Sequence, residues 1–257
     1  YNIGLILSSY SLPLAISKLI AARRVHGKNQ DVQRVFKAGL LFGLVAGGLM
    51  TLFLLFGADW ITVHIFNSPN SALPLKVMAP TILVFSIMGV VRGYFQGLGN
   101  MVPTSISQVI EQVVNAVISV AASFAFMHWF ANRETPAAYG AAGGTLGTLS
   151  GALAAFVFLT LLMFVYRRQN TKALRKPQAD RLESWSHVYT ALFLTLTPII
   201  LSQFVYQLSG SVDNSMFGFL MSGKGLTEKE RLSLLGIYGG KYRLLSNVPR
   251  SEERRVG

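Results

Sequence analysis

Ala21-Ala-Arg-Arg-Val-His-Gly-Lys-Asn-Gln-Asp-Val-Gln-Arg-Val-Phe-Lys37 separates two apolar stretches and carries five cations, Arg23, Arg24, Lys28, Arg34 and Lys37. A bilayer core takes about 20 apolar residues of helix, and both neighbours are of that order. Working outward from this basic connection, apolar spans are expected near Ile3–Ala22, Ala38–Phe56, Leu75–Gly97, Thr104–Phe130, Gly140–Tyr166 and Val188–Leu220. The connections between them alternate in charge. Asp59–Ser71 has no Lys or Arg, and Ala131–Tyr139 has only Arg133, balanced by Glu134. The short turn after the third span begins at Arg92, and Arg167, Arg168, Lys172, Arg175, Lys176 and Arg181 follow the fifth. Basic connections stay on the cytoplasmic side. The pattern therefore predicts an all-α, polytopic helical bundle whose first residues start at the outer face. The segment Gly225–Arg243, with Lys224 before it, departs from this rule by carrying cations where the count puts it outside.

Composition agrees. Hydrophobic residues make up 51% and charged residues 13%, with a mean hydropathy of +0.45, whereas a soluble domain is about 25% charged. The net charge of +12 lies in connections that hold topology against an anionic leaflet. No basic patch interleaved with aromatics points to nucleic acid. The absence of Cys excludes disulfides and thiol catalysis. Four scattered His (His26, His64, His128, His187) lack ligand spacing, so neither a metal nor another cofactor is expected. The chain begins at Tyr1, and Arg250–Gly257 reads as an in-frame translation of a sequencing adapter, which sets that tail apart from the fold.

Glycine rows recur at steps of four: Gly39, Gly43 and Gly47; Gly89, Gly93 and Gly97; Gly143, Gly147 and Gly151, with Gly140 and Gly144 beside the last. Such spacing puts small residues on one helix face, where neighbouring backbones approach closely. Polar residues recur inside the spans as well. Ser105, Gln108, Gln112, Asn115 and Ser119 form a stripe on the fourth, with Glu111 alongside. In lipid such a stripe faces protein or water. Glu111, roughly 10 Å in from Thr104, suits a cation or proton site, the wall of a polar cavity, or an ion pair between helices. On the sixth span Thr195, Ser202, Tyr206, Ser209 and Asp213 share helical spacing, flanked by Gln203 and Gln207, with Pro198 as a possible kink. Lys18 and Arg92 sit near the inner ends of their spans. They either snorkel to the interface or line an inward-facing cavity for an anionic headgroup, where guanidinium donates in a fork and ammonium acts as a point charge.

The stretch Arg92-Gly-Tyr-Phe-Gln-Gly97, then Asn100-Met-Val-Pro-Thr-Ser105, then Ser107-Gln-Val-Ile-Glu-Gln112 resembles a signature of bacterial polysaccharide transporters. These belong to the multidrug/oligosaccharidyl-lipid/polysaccharide (MOP) exporter superfamily, in the branch of stage V sporulation protein B, YtgP and the lipid II flippase MurJ. Ser11-Leu-Pro-Leu-Ala-Ile-Ser-Lys18 resembles the second helix of that branch. The resemblance runs from about Tyr1 to Pro249 and implies a fold of two helical lobes around a central cavity. On that basis residues 1–166 are most of the first lobe (helices two to six), 167–187 a basic cytoplasmic linker, and 188–249 the start of the second lobe, truncated at both ends. Leu245-Ser-Asn-Val-Pro249 echoes Ser9-Tyr-Ser-Leu-Pro13, as repeat mates would.

The resemblance further implies a flippase rather than an enzyme. It would reside as a multi-pass protein in the bacterial cytoplasmic membrane, in contact with membrane lipids. It would move an undecaprenyl-pyrophosphate-linked oligosaccharide, such as lipid II or a polysaccharide repeat unit, by alternating access. Lys18, Arg92, Gln108, Glu111, Gln112, Asn115, Gln203, Tyr206 and Asp213 are its candidate cavity residues. The membrane potential, at about 2.3 kcal/mol per charge per 100 mV, or a coupled cation would drive transport. The competing readings are a multidrug/cation antiporter of the same superfamily and, from another class, a membrane-embedded glycosyltransferase. The glycosyltransferase lacks the paired carboxylates that its chemistry needs.

Overall fold

The computed structural model describes Leu5, residues 11–64, 72–132, 136–169 and 182–222, Leu234 and Ile237. Six α-helices account for nearly all of these: α1 (Ser11–Val25), α2 (Asn29–His64), α3 (Ala72–Gly97), α4 (Val102–Trp129), α5 (Pro136–Gln169) and α6 (Trp185–Ser222). Five of them, all but α1, contain an apolar stretch long enough to cross a membrane. The chain is thus a helical, multi-pass membrane protein. The expected segment Gly225–Arg243, the Leu245–Pro249 echo and the tail from Arg250 lie outside the described residues, apart from Leu234 and Ile237.

Helices run beyond the apolar spans. The basic connection shrinks to a turn at Gly27, whose φ of 70° suits glycine, and α2 already begins at Asn29. Arg34 and Lys37 therefore sit on helix rather than in a loop. Asp31 lies in the first turn of α2, where the helix dipole favours an anion. At the far end α2 continues to His64, well past Phe56. Its 36 residues span about 54 Å against a core of about 30 Å, so its ends project from the bilayer. A second positive-φ glycine, Gly99 (φ 79°), turns α3 into α4. Asn100 Oδ1 accepts the Val102 N–H at 3.1 Å, and Pro103 occupies the first turn, where its missing N–H costs nothing.

By contact the chain divides into residues 1–202 and 203–257. In the first unit one apolar core gathers Leu12, Ile16 and Ile20 of α1, Val35 and Phe36 of α2, Met88, Val90 and Tyr94 of α3, Ala155 and Leu159 of α5, and Val188, Leu192 and Leu196 of α6. Helix α4 adds nothing to it. Only its Pro103, Thr104 and Ser107 are buried, and it leans on α5. The second unit, as described, is the end of α6 from Gln203 to Ser222 with Leu234 and Ile237.

The glycine rows are contact faces. A β-carbon on Gly93 would stand 2.7 Å from the Pro13 carbonyl oxygen, and one on Gly97 2.7 Å from Ile20 Cβ, so α3 seats directly on α1. On Gly47 it would meet Ser86 Cβ at 2.8 Å, which joins α2 to α3. Along α5, a β-carbon on Gly147 would meet the Ser119 nitrogen at 2.5 Å, and one on Gly151 the Glu111 carbonyl oxygen at 2.5 Å, both on α4. A β-carbon on Gly144, one step around the helix, would have nothing within 4 Å. Gly147→Ala is therefore expected to cost about 1–3 kcal/mol through overpacking. Gly144→Ala should be neutral or gain a few tenths from helix propensity. Thermal unfolding in detergent of the two variants side by side checks the contrast.

Thr81 on α3 is fully buried, and its hydroxyl has no hydrogen-bond partner. Thr81→Val keeps the shape and removes the orphaned group, and it should raise stability by about 1 kcal/mol. An unchanged or lower melting temperature would contradict this.

Candidate functional site: a charged cavity between α1, α3 and α4

Phe85, Gly89, Arg92 and Gln96 fall on one face of α3, and Thr104, Gln108, Glu111 and Gln112 on one face of α4. With Pro13 of α1 they enclose a cavity of about 400 Å³, within the range of small-ligand sites. The tight turn at Gly99 makes the two faces meet. Arg92 is held on two sides. Its Nε donates to Ser107 Oγ at 2.9 Å, and its Nη2 donates to Glu111 Oε2 at 2.8 Å. The two charged side chains are only 11% and 13% exposed, so the pair is shielded from lipid and from bulk water. Ser107 in turn donates to the Thr104 carbonyl at 2.7 Å, and Gln96 Nε2 reaches Thr104 Oγ1 at 3.4 Å. The amides of Gln108 and Gln112 complete the polar wall.

Of the sequence-derived candidates, this cavity brings together Arg92, Gln108, Glu111 and Gln112. Arg92 turns inward between helices rather than snorkelling. Glu111 is both cavity wall and interhelical ion pair. Asn115 lies one turn further along α4. Its Oδ1 accepts Ser119 Oγ at 2.8 Å, and the same hydroxyl lies 2.8 Å from the Gly144 carbonyl of α5. The stripe therefore divides, with Gln108 and Gln112 facing the cavity and Asn115 and Ser119 stitching α4 to α5. Lys18 is exposed on α1 and is not in the cavity wall. Gln203 is exposed on α6 in the second unit. Tyr206 and Asp213 continue that helix, with side chains outside the described residues. Gln96, Thr104 and Ser107 belong to the site although they do not stand out from the motif around them. The i,i+4 spacing of Arg92 and Gln96 was the available signal.

A second polar cluster closes the basic end of the bundle. Glu183, just before α6, accepts Arg23 Nη2 at 2.6 Å and Nε at 3.2 Å, and lies 3.3 Å from His187 Nδ1. Its backbone N–H donates to Asp31 Oδ1 at 3.1 Å, and its carbonyl accepts a bond from Arg34. Asp31 is fully buried and Arg23 is 7% exposed. Alongside, Gln33 donates to Tyr94 Oη at 3.0 Å and accepts Arg167 Nη2 at 3.1 Å. Arg34 lies over the Trp185 ring at 5.3 Å, and Arg167 over Phe36 at 5.1 Å. These bonds gather the ends of α1, α3 and α5 and the starts of α2 and α6 on one side, as alternating spans require. Among the described residues no three His, Asp or Glu side chains converge as metal ligands.

Residues 2–251 match the family described as polysaccharide biosynthesis protein. The chain belongs to this family. Among curated proteins, the chain is similar to stage V sporulation protein B of Bacillus subtilis (strain 168), with 30% identity over 79% of this chain and 38% of that protein. It is also similar to lipid II flippase MurJ of the same organism, with 25% identity over 93% of this chain and 45% of that protein. A third relative there, the uncharacterized membrane protein YabM, is 28% identical over 92% of this chain and 42% of its own length. The chain spans less than half the length of these relatives. No solved structure matches it. The polysaccharide biosynthesis family thus agrees with the resemblance carried by the Arg92–Gln112 motif, which builds the cavity described above.

Proposed function

We propose that the protein is a flippase for a lipid-linked, pyrophosphate-bearing oligosaccharide in the bacterial cytoplasmic membrane. The observation that carries this reading is Arg92, a guanidinium in the interior of the bundle that faces a polar cavity. A cation buried there is costly, and one lining a cavity suits an anionic group that arrives with its own hydrogen-bond acceptors. Guanidinium pairs with phosphate oxygens in a fork, while the amides of Gln96, Gln108 and Gln112 suit sugar hydroxyls. The lipid tail would remain in the bilayer beside α4, whose Val109, Val113 and Val117 are exposed. Residues 1–166 would form most of one lobe, 167–187 the inter-lobe linker and 188–249 the start of the second lobe. Membrane potential or a coupled cation would supply direction. The reading is transport and assigns no catalytic residue.

The test is complementation. Cells depleted of their own lipid II flippase express the full-length protein, and externally accessible lipid II is measured. Restored accessibility supports the reading with lipid II as a substrate. A correctly inserted protein that restores neither lipid II nor a capsular repeat unit to the outer face overturns it.

A further inference from the structure

The inference concerns Glu111 and rests on the flippase reading. Within the cavity wall Arg92 already holds an anion, since Glu111 Oε2 accepts its Nη2 at 2.8 Å. Among the described residues, Arg92 and Glu111 are the only charged ones in the cavity wall. Helix α5, packed against α4, carries no charged side chain from Pro136 to Tyr166, and α1 contributes only Pro13 to the wall. The charges of the described wall therefore balance. Nε is committed to Ser107, so the guanidinium edge that a phosphate would grip in a fork includes the nitrogen that Glu111 holds.

We propose that Glu111 is the resident counter-ion of the empty carrier. An incoming phosphate displaces the carboxylate from Arg92, and the carboxylate returns when the phosphate leaves. The carrier then resets without an unpaired guanidinium in the membrane interior, whose burial alone is costly. Glu111 thereby weakens binding and speeds the reset. A carboxylate that only braces α3 against α4 would do neither.

Glu111→Gln keeps the length of the side chain and an acceptor oxygen for Arg92, but removes the competing charge. The full-length variant in detergent is titrated calorimetrically with a short-chain polyprenyl pyrophosphate and, in parallel, with inorganic pyrophosphate. In vesicles, exchange of labelled for unlabelled lipid across the membrane is compared with net movement into empty membranes. Binding is expected to tighten about tenfold, the worth of one charge-assisted bond. Exchange should be retained while net movement slows several-fold. Tightening with the lipid but not with inorganic pyrophosphate would still support the role and assign part of the recognition to the chain. Binding no tighter than wild type, or exchange and net movement falling together with the melting temperature, overturns the proposal and leaves a structural pair. Glu111→Asp, whose shorter arm loosens the pair, should also bind more tightly and serves if the glutamine variant does not fold. Arg92→Ala binding as well as wild type would instead overturn the flippase site itself.

Discussion

Arg92→Ala is expected to reduce headgroup translocation by about a hundredfold at normal protein level. Truncating one partner of a buried, hydrogen-bonded charge pair costs about 2–5 kcal/mol, or roughly 30- to 4,000-fold in binding. Part of that cost would be structural, because Glu111 is left in the cavity wall without its partner at 2.8 Å. Removing both charges separates the two effects. Arg92→Ala with Glu111→Ala restores neutrality, so it should regain expression and thermal stability while translocation stays lost. Recovery of transport in the double variant would show that Arg92 serves only to neutralise Glu111. Arg92→Lys keeps the charge, but one ammonium cannot reproduce the planar fork that meets Ser107 and Glu111 together. Its translocation should fall between wild type and alanine. The accessible-lipid assay in flippase-depleted cells measures all three.

Glu183→Ala is expected to destabilise the described bundle by about 3 kcal/mol, because it leaves Arg23, 7% exposed, as an uncompensated buried charge. The contrast lies at the other end, where Asp59 accepts Lys76 at 2.7 Å with side chains 67% and 39% exposed. Asp59→Ala should change stability by less than about 1 kcal/mol, since water screens an exposed pair. Two ion pairs of similar length thus differ severalfold in worth through burial alone. A double variant, Arg23→Met with Glu183→Leu, removes both charges and should recover much of the loss. Unfolding in detergent followed by circular dichroism gives the ranking, and equal effects of Glu183→Ala and Asp59→Ala would refute it.

The membrane class, the number and approximate place of the helices, and the alternation of their ends could all be read from the chain without a structure. Lipid imposes these one helix at a time: each span must be apolar for about 20 residues and satisfy its own backbone, and cations must stay on one side. The motif from Arg92 to Gln112 marked the site for the same local reason, since polar residues are costly at that depth. Helix ends were less accurate. Solvent tolerates a projecting helix, and α2 carries Arg34 and Lys37 on helical turns that hydropathy assigns to a loop.

Partnership was decided only in three dimensions. Arg92 and Lys18 look alike in the sequence as cations near the inner ends of their spans. Yet the turn at Gly99 swings α4 back so that Glu111 meets Arg92, whereas Lys18 on α1 is left exposed. Gly147 and Gly144 belong to equally regular spacings, and only the position of α4 shows that a β-carbon on one would strike Ser119 while a β-carbon on the other would meet open space. Glu183, in a segment whose sequence reads as a basic connection, anchors Arg23, more than a hundred residues away. Hydropathy and charge bias are sums over single residues, which one chain displays by itself. A cavity wall or a buried ion pair depends on which face of each helix is turned inward, and that is set by the packing of several helices at once.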